Sequence, residues 1–155
     1  MKSFHLVLDI GTTQVKAFVF NKEHEIIAKE YYHLRKFFPQ KGYVEQDTEE
    51  IISASKKVLK SAVAKSGLPK NSFSNLGITN QRETTILWDK KTGKSIYTAI
   101  VWEDTRTQKI CDNLPPKPKK EITWKTGLAA DPYFSATKIQ WLLQNIPKAN
   151  SLLKE

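Results

Sequence analysis

Residues 4–20 read FHLVLDIGTTQVKAFVF, and this stretch decides the fold class. Phe4, Leu6, Val7 and Leu8 form an apolar run of the length of a buried strand, and Val15 to Phe20 forms a second. Between them Asp9-Ile10-Gly11-Thr12-Thr13 places a carboxylate at a strand end, followed by a tight turn. A third strand is expected over 25–33, with a hairpin turn around Asn21 to His24. Three consecutive strands joined by short turns imply an antiparallel meander.

Beyond the meander the pattern turns helical. A helix is expected from about Thr48 to Lys65, with Asp47 as N-cap and Glu50 placed as in a capping box. Ile51, Ile52, Ser55, Val58, Leu59, Ala62 and Val63 repeat at helical spacing, and Gly67 and Pro69 stop the run. Strands are expected near 74–79, 84–89 and 97–101, the last two separated by a turn at Lys90 to Lys94. A helix is expected to start near Asp104, residues 115–120 (PPKPKK) read as a loop, and a last helix covers about Ser135 to Asn145 and ends at Pro147. Its apolar face would be Ile139, Leu142, Leu143 and Ile146, and a new helix-like pattern begins at Ser151. A meander, a crossover helix and further strands make an α/β module with a mixed sheet and flanking helices, read as one folding unit over residues 1–155.

Composition narrows the function. A net charge of +9 admits nucleic acid as a partner, but the Lys and Arg residues are dispersed along the chain. From Ile51 to Gln81 there is no acidic residue, yet Lys56, Lys57, Lys60 and Lys65 fall on the solvated side of the expected helix. No aromatic-interleaved RNA motif is visible, so no nucleic-acid role is expected. No stretch approaches the ~20 apolar residues that span a bilayer. Lys2 precedes only a short apolar strand without a small-residue cleavage site, which argues against a signal peptide. Cys111 is the single cysteine, which fits a reducing cytoplasm, and with three histidines it makes no metal-ligand cluster.

The chemistry concentrates between Gly77 and Thr107. Arg82-Glu83 ends one apolar stretch, and Trp102-Glu103-Asp104-Thr105-Arg106 follows another. Guanidinium donates to hydroxyl oxygens, carboxylate accepts hydroxyl protons, and indole covers a carbon face, so the set suits a small polyhydroxy ligand. Taken singly, Arg82-Glu83 also fits a surface ion pair, and Trp102 also fits ordinary core packing. Asp9-Ile10-Gly11-Thr12-Thr13 suits a phosphate and hydrated Mg²⁺, because Gly admits an anion close to the backbone and hydroxyls and N–H groups donate. A plain hairpin is the alternative. No Walker A loop occurs.

These pieces together resemble the glycerol kinases of the FGGY carbohydrate kinase family. The resemblance rests on Arg82-Glu83, on Trp102 to Arg106, on Thr126 to Ile139 (TGLAADPYFSATKI) and on Gly42 to Asp47 (GYVEQD). It extends from about Leu6 to Leu143. Where the family loop usually reads DQGTTSSR, this chain has Asp9 to Lys16 as DIGTTQVK. The resemblance implies a ribonuclease H-like module of the actin, hexokinase and sugar kinase superfamily, with ATP and Mg²⁺ as cofactors. It implies that Arg82, Glu83, Trp102 and Tyr133 bind glycerol. Gly11, Thr12, Thr13, Gln14 and Lys16 would face the nucleotide, and Asp9 would hold Mg²⁺ through water. Family members are longer, so the general base and adenosine site are expected beyond Glu155. The missing remainder of the same protein is then the expected partner, and homo-oligomerisation stays open. Two alternatives remain: another FGGY sugar or polyol kinase, or a non-catalytic binding module.

Overall fold

The computed structural model describes residues 4–153. In chain order the elements are β1 (Phe4–Ile10), β2 (Gln14–Phe20), β3 (Ile26–His33), β4 (Glu45–Gln46), α1 (Thr48–Ser66), β5 (Phe73–Asn80) and β6 (Ala99–Ile100). Four helices complete the chain: α2 (Gln108–Asp112), α3 (Pro116–Thr126), α4 (Ser135–Asn145) and α5 (Pro147–Leu152). The contacts gather into two compact units. One takes residues up to 35 together with 47–81, and the other takes 36–46 together with 82 onward.

The first unit is a four-stranded mixed sheet in the order β3-β2-β1-β5. β1–β2 and β2–β3 are antiparallel, and β1 runs parallel to β5 across the α1 crossover. The expected meander is therefore present. Strict alternation in β2 puts Val15, Ala17 and Val19 on one buried face, joined by Leu8 and Ala28 from the neighbouring strands. α1 lies against β2 and β3. It buries Ile51, Ala54, Val58 and Ala62, spaced three or four residues apart. Lys56, Lys57, Lys60 and Lys65 stay on its exposed side.

Asp47 caps α1 by accepting the Glu49 N–H at 2.8 Å, and Gly67 ends it at φ 67°, a left-handed conformation that suits glycine. The capping box does not form. Glu50 is buried and accepts from Tyr32 Oη at 3.3 Å and Arg35 Nε at 3.1 Å. A carboxylate inside the first turn, facing β3, finds an Arg and a phenol closer to hand than the helix N-terminus.

β5 is less covered. Leu76 stands beside Leu6 and Ile78 beside Leu8 in the sheet register, yet they are 46% and 64% exposed. An apolar edge strand with free backbone groups is a template for association. The 155-residue chain is expected to self-associate and bind a hydrophobic dye at micromolar concentration, and Ile78→Lys should reduce both. A dilute monomer by light scattering, with no dye signal, would contradict this.

In the second unit β4 pairs antiparallel with β6, Glu45 opposite Ile100. The expected strand over 84–89 reduces to two isolated bridges, Thr85 to Ile100 and Trp88 to Ser95. The reason lies at its start, where Glu83 has a φ of 64° and breaks the extended run. The strand expected over 97–101 contracts to β6. Asp104 does not start a helix. It is fully buried and accepts from the Val44 and Arg106 backbone N–H groups, so the helix begins at Gln108. Residues 115–120 are not a loop: α3 runs from Pro116 to Thr126. Pro116 and Pro118 occupy its first turn, where a missing N–H removes no helical hydrogen bond. α4 matches the expected span, and Pro147 opens α5. Its buried residues are Leu142 and, unexpectedly, Lys138, while Ile139 is 38% exposed.

Candidate functional site

The first unit carries the Asp9–Lys16 turn. The Gly11 N–H donates to the Gln14 carbonyl at 3.0 Å, closing the hairpin between β1 and β2. A Cβ at Gly11 would meet that carbonyl oxygen at 2.9 Å, so the turn needs glycine there. Asp9 and Lys16 are cross-strand partners with Nζ 3.6 Å from the carboxylate. Gln14 Nε2 lies 2.9 Å from a His33 ring nitrogen, and Thr13 is exposed. Asp9 is partly exposed at a strand end. One carboxylate with water around it fits a cation held through its hydration shell and shared with a phosphate, not a direct protein cage. No group of three or more potential metal ligands occurs among the described residues.

The second unit brings together three of the four residues assigned to the polyol. Each stands at the end of an element: Glu83 after β5, Trp102 after β6, and Tyr133 just before α4. The Trp102 and Tyr133 rings meet edge to face with centroids 5.8 Å apart, and Phe134 meets Tyr133 edge to face at 5.1 Å. Trp102 N–H donates to Thr84 Oγ1 at 3.3 Å, and Ser135 Oγ donates to Glu83 Oε2 at 3.4 Å. Trp102 and Tyr133 are 36% and 37% exposed, so an aromatic wall faces outward beside the carboxylate. Arg82 is exposed next to it. Glu83 is one of two non-glycine residues at positive φ among the described residues, and such backbone strain gathers at ligand sites.

Tyr133 is set by its own turn. Its N–H donates to Asp131 Oδ1 at 2.8 Å, and the Phe134 N–H donates to the Asp131 carbonyl at 3.2 Å. The Tyr133 carbonyl accepts from Lys138 Nζ at 2.9 Å.

Asp104 and Arg106, counted by residue type with the polyhydroxy set, instead form a buried charged cluster with Glu45. The Arg106 side chain is fully buried and donates to Asp104 and to Glu45 at 2.7 to 2.9 Å. Its Cζ lies 3.9 Å from the Tyr43 ring centre and 4.6 Å from that of Trp141. Burial works against the Glu45 charge, but hydrogen bonds from Thr98, Arg106 and Tyr97 hold its carboxyl below the usual carboxylate range. Burial likewise opposes the guanidinium charge, and Asp104 and Glu45 more than restore it. A short Asp-x-Arg spacing was the available signal, although nothing in it marks burial.

A four-stranded mixed sheet with a crossover helix and flanking helices is the architecture of the ribonuclease H-like sugar kinase modules. The model of the N-terminal domain of the FGGY family of carbohydrate kinases matches residues 4–154, and the chain belongs to that family. A glycerol kinase of Chromobacterium violaceum is 46% identical over 151 residues, covering 97% of this chain and 30% of that protein. The crystal structure of Plasmodium falciparum glycerol kinase with ADP superposes with a TM-score of 0.82 at 32% identity, over 96% of this chain and 30% of that one. A ligand-bound xylulose kinase from Lactobacillus acidophilus shares the fold, with a TM-score of 0.84 at 18% identity over 96% of this chain and 30% of that one. The chain thus spans about 30% of the length of the curated relatives it matches. No helix among the described residues is long and apolar enough to cross a membrane.

Proposed function

We propose that the chain carries the polyol-binding half of a glycerol kinase active centre, acting in the cytoplasm of its cell. The observation that carries this reading is the wall of Glu83, Trp102 and Tyr133, in a chain 46% identical to a glycerol kinase. In this reading Arg82 donates to glycerol hydroxyl oxygens and Glu83 accepts hydroxyl protons. Tyr133 adds a hydrogen bond, and Trp102 covers the carbon backbone. Gly11, Thr12, Thr13, Gln14 and Lys16 face the ATP phosphates, and Asp9 holds hydrated Mg²⁺, which would offset phosphate charge.

The reaction is γ-phosphoryl transfer from ATP to a terminal hydroxyl of glycerol. The hydroxyl oxygen forms a bond to the γ-phosphorus as the bond from that phosphorus to the β–γ bridging oxygen breaks, leaving ADP. The hydroxyl proton passes to a base outside these 155 residues. Such catalysis consists mostly of positioning and charge stabilisation. We also take the two compact units as one folding unit, the first part of the kinase's first domain, because the chain passes between them after residues 35, 46 and 81.

A coupled ADP-release assay tests the reading. The 155-residue chain alone should give no glycerol-dependent turnover, since general-base assistance alone is worth about 10²–10⁴-fold. The full-length protein should turn over glycerol in preference to xylulose or gluconate. Preference for a larger sugar would make it another FGGY kinase. No turnover from the full-length protein would leave a binding module. Turnover by the 155 residues, lost on Asp9→Ala, would place the base within them.

A further inference from the structure

We propose that Lys138 is a positioning residue of the polyol pocket, whose buried ammonium fixes the Tyr133 backbone and balances the Glu83 carboxylate. The inference rests on the polyol reading above and adds to it a residue that contacts no substrate.

Lys138 is fully buried, with a relative exposure of 0%. Lysine is among the residues least often found in that state, because its ammonium loses strong hydration. A methionine or leucine at this position would fill the same space without that cost. The charge therefore calls for an explanation, and its surroundings supply one. Lys138 Nζ donates to the Tyr133 carbonyl at 2.9 Å. Tyr133 lies before Phe134, the N-cap of α4, so its carbonyl falls outside the ladder of that helix and needs a donor from elsewhere. One end of the Tyr133 backbone is fixed by Asp131 and the other by Lys138. Together they set the direction in which the phenol leaves the chain.

The second function is electrostatic. Ser135 and Lys138 are three residues apart and share one face of α4. Ser135 reaches Glu83 directly, and the Lys138 charge acts on Glu83 through space. The charged groups facing Lys138 come from every neighbouring segment: Asp104 before α2, Glu83 after β5 and Asp131 before α4 favour its charge, while Arg106 opposes it.

Burial pushes the Lys138 ammonium down to about 8, against the pull of Asp104, Glu83 and Asp131. Its charge is thus present below about pH 8 and lost above it, where Glu83 loses a neighbouring positive charge. Stability runs the other way. The unfolded lysine keeps its proton up to its ordinary 10.5, so the unfolded state binds more protons between about 8 and 10.5, and folding is favoured as pH rises through that window.

The test uses the full-length kinase. Lys138→Met should lower glycerol kcat/KM by on the order of 10- to 100-fold, with the KM for ATP unchanged. Wild-type glycerol kcat/KM should fall as pH rises through about 8, and that limb should vanish in Lys138→Met. An unchanged glycerol kcat/KM in the variant would overturn the proposal. If the variant does not fold, the wild-type profile decides: a limb near pH 8 in the polyol term and not in the ATP term supports the proposal, and a flat polyol profile overturns it. If the wild type prefers another polyol, the glycerol reading fails and Lys138 is judged on that substrate. Absence of any polyol substrate overturns both.

Discussion

Arg106→Ala is expected to unfold the unit formed by residues 36–46 and 82 onward. The guanidinium is fully buried with Asp104 and Glu45 as hydrogen-bond partners, and Tyr43 and Trp141 stack on it. Removing one member of a buried ion cluster leaves the others charged and unsolvated, at a cost of about 3–5 kcal/mol. That is a large share of the roughly 5–15 kcal/mol that holds a typical domain. Arg106→Lys should recover little, because an ammonium cannot bond both carboxylates in a planar fork while stacking on two rings. Denaturant unfolding followed by tryptophan fluorescence checks this. Trp141 reports directly, since its ring packs on Arg106 and, at 5.9 Å between centroids, on Tyr43. A midpoint within error of wild type would show that the cluster is energetically neutral. Acid should weaken the same cluster. The folded Glu45 carboxyl titrates below its ordinary value, so its contribution is present above about pH 4.5 and is lost as pH falls through the depressed value.

The meander and α1 were legible because their local signals agree. β2 alternates cleanly, α1 repeats at helical spacing, and Asp47 and Gly67 mark its ends. The 84–89 segment looked just as strand-like, but Glu83 at positive φ turns the chain away from regular pairing. Tertiary demand at that residue outweighed the propensity of Thr84, Thr85 and Ile86. PPKPKK misled in the opposite direction, since prolines that break a helix interior are harmless in its first turn. Arg82, Glu83 and Trp102 stand out by residue type, and Tyr133 by the family resemblance, and their joint role in a polyol site is the proposal made above. Arg106 and Lys138 could not be read as buried, because in a chain with 25 basic residues a cation is ordinarily solvated. One hint was present at Lys138: it stands four residues before Leu142, on the inward stripe of α4.

In the full-length protein, Glu83→Ala and Arg82→Ala are expected to lose most glycerol use while keeping ATP affinity. On the polyol reading, each truncation leaves substrate hydroxyls without a partner. An unpaired polar group of that kind costs about 1–3 kcal/mol, or more where a charge is involved. By that measure glycerol kcat/KM should fall by about 5- to 150-fold per residue. Glu83 offers a sharper test than a truncation scan. Its φ of 64° costs a side chain about 1–2 kcal/mol that glycine would not incur. Glu83→Gly should therefore be at least as stable as the parent and still fail to use glycerol. Steady-state kinetics with each substrate varied, together with a thermal melt, separates the two effects. A variant that is more stable and inactive would mean that the strain is kept for the carboxylate. Loss of stability in Glu83→Gly, with glycerol kcat/KM unchanged, would reduce Glu83 to a structural role beside Ser135 and remove the central acceptor from the proposed pocket.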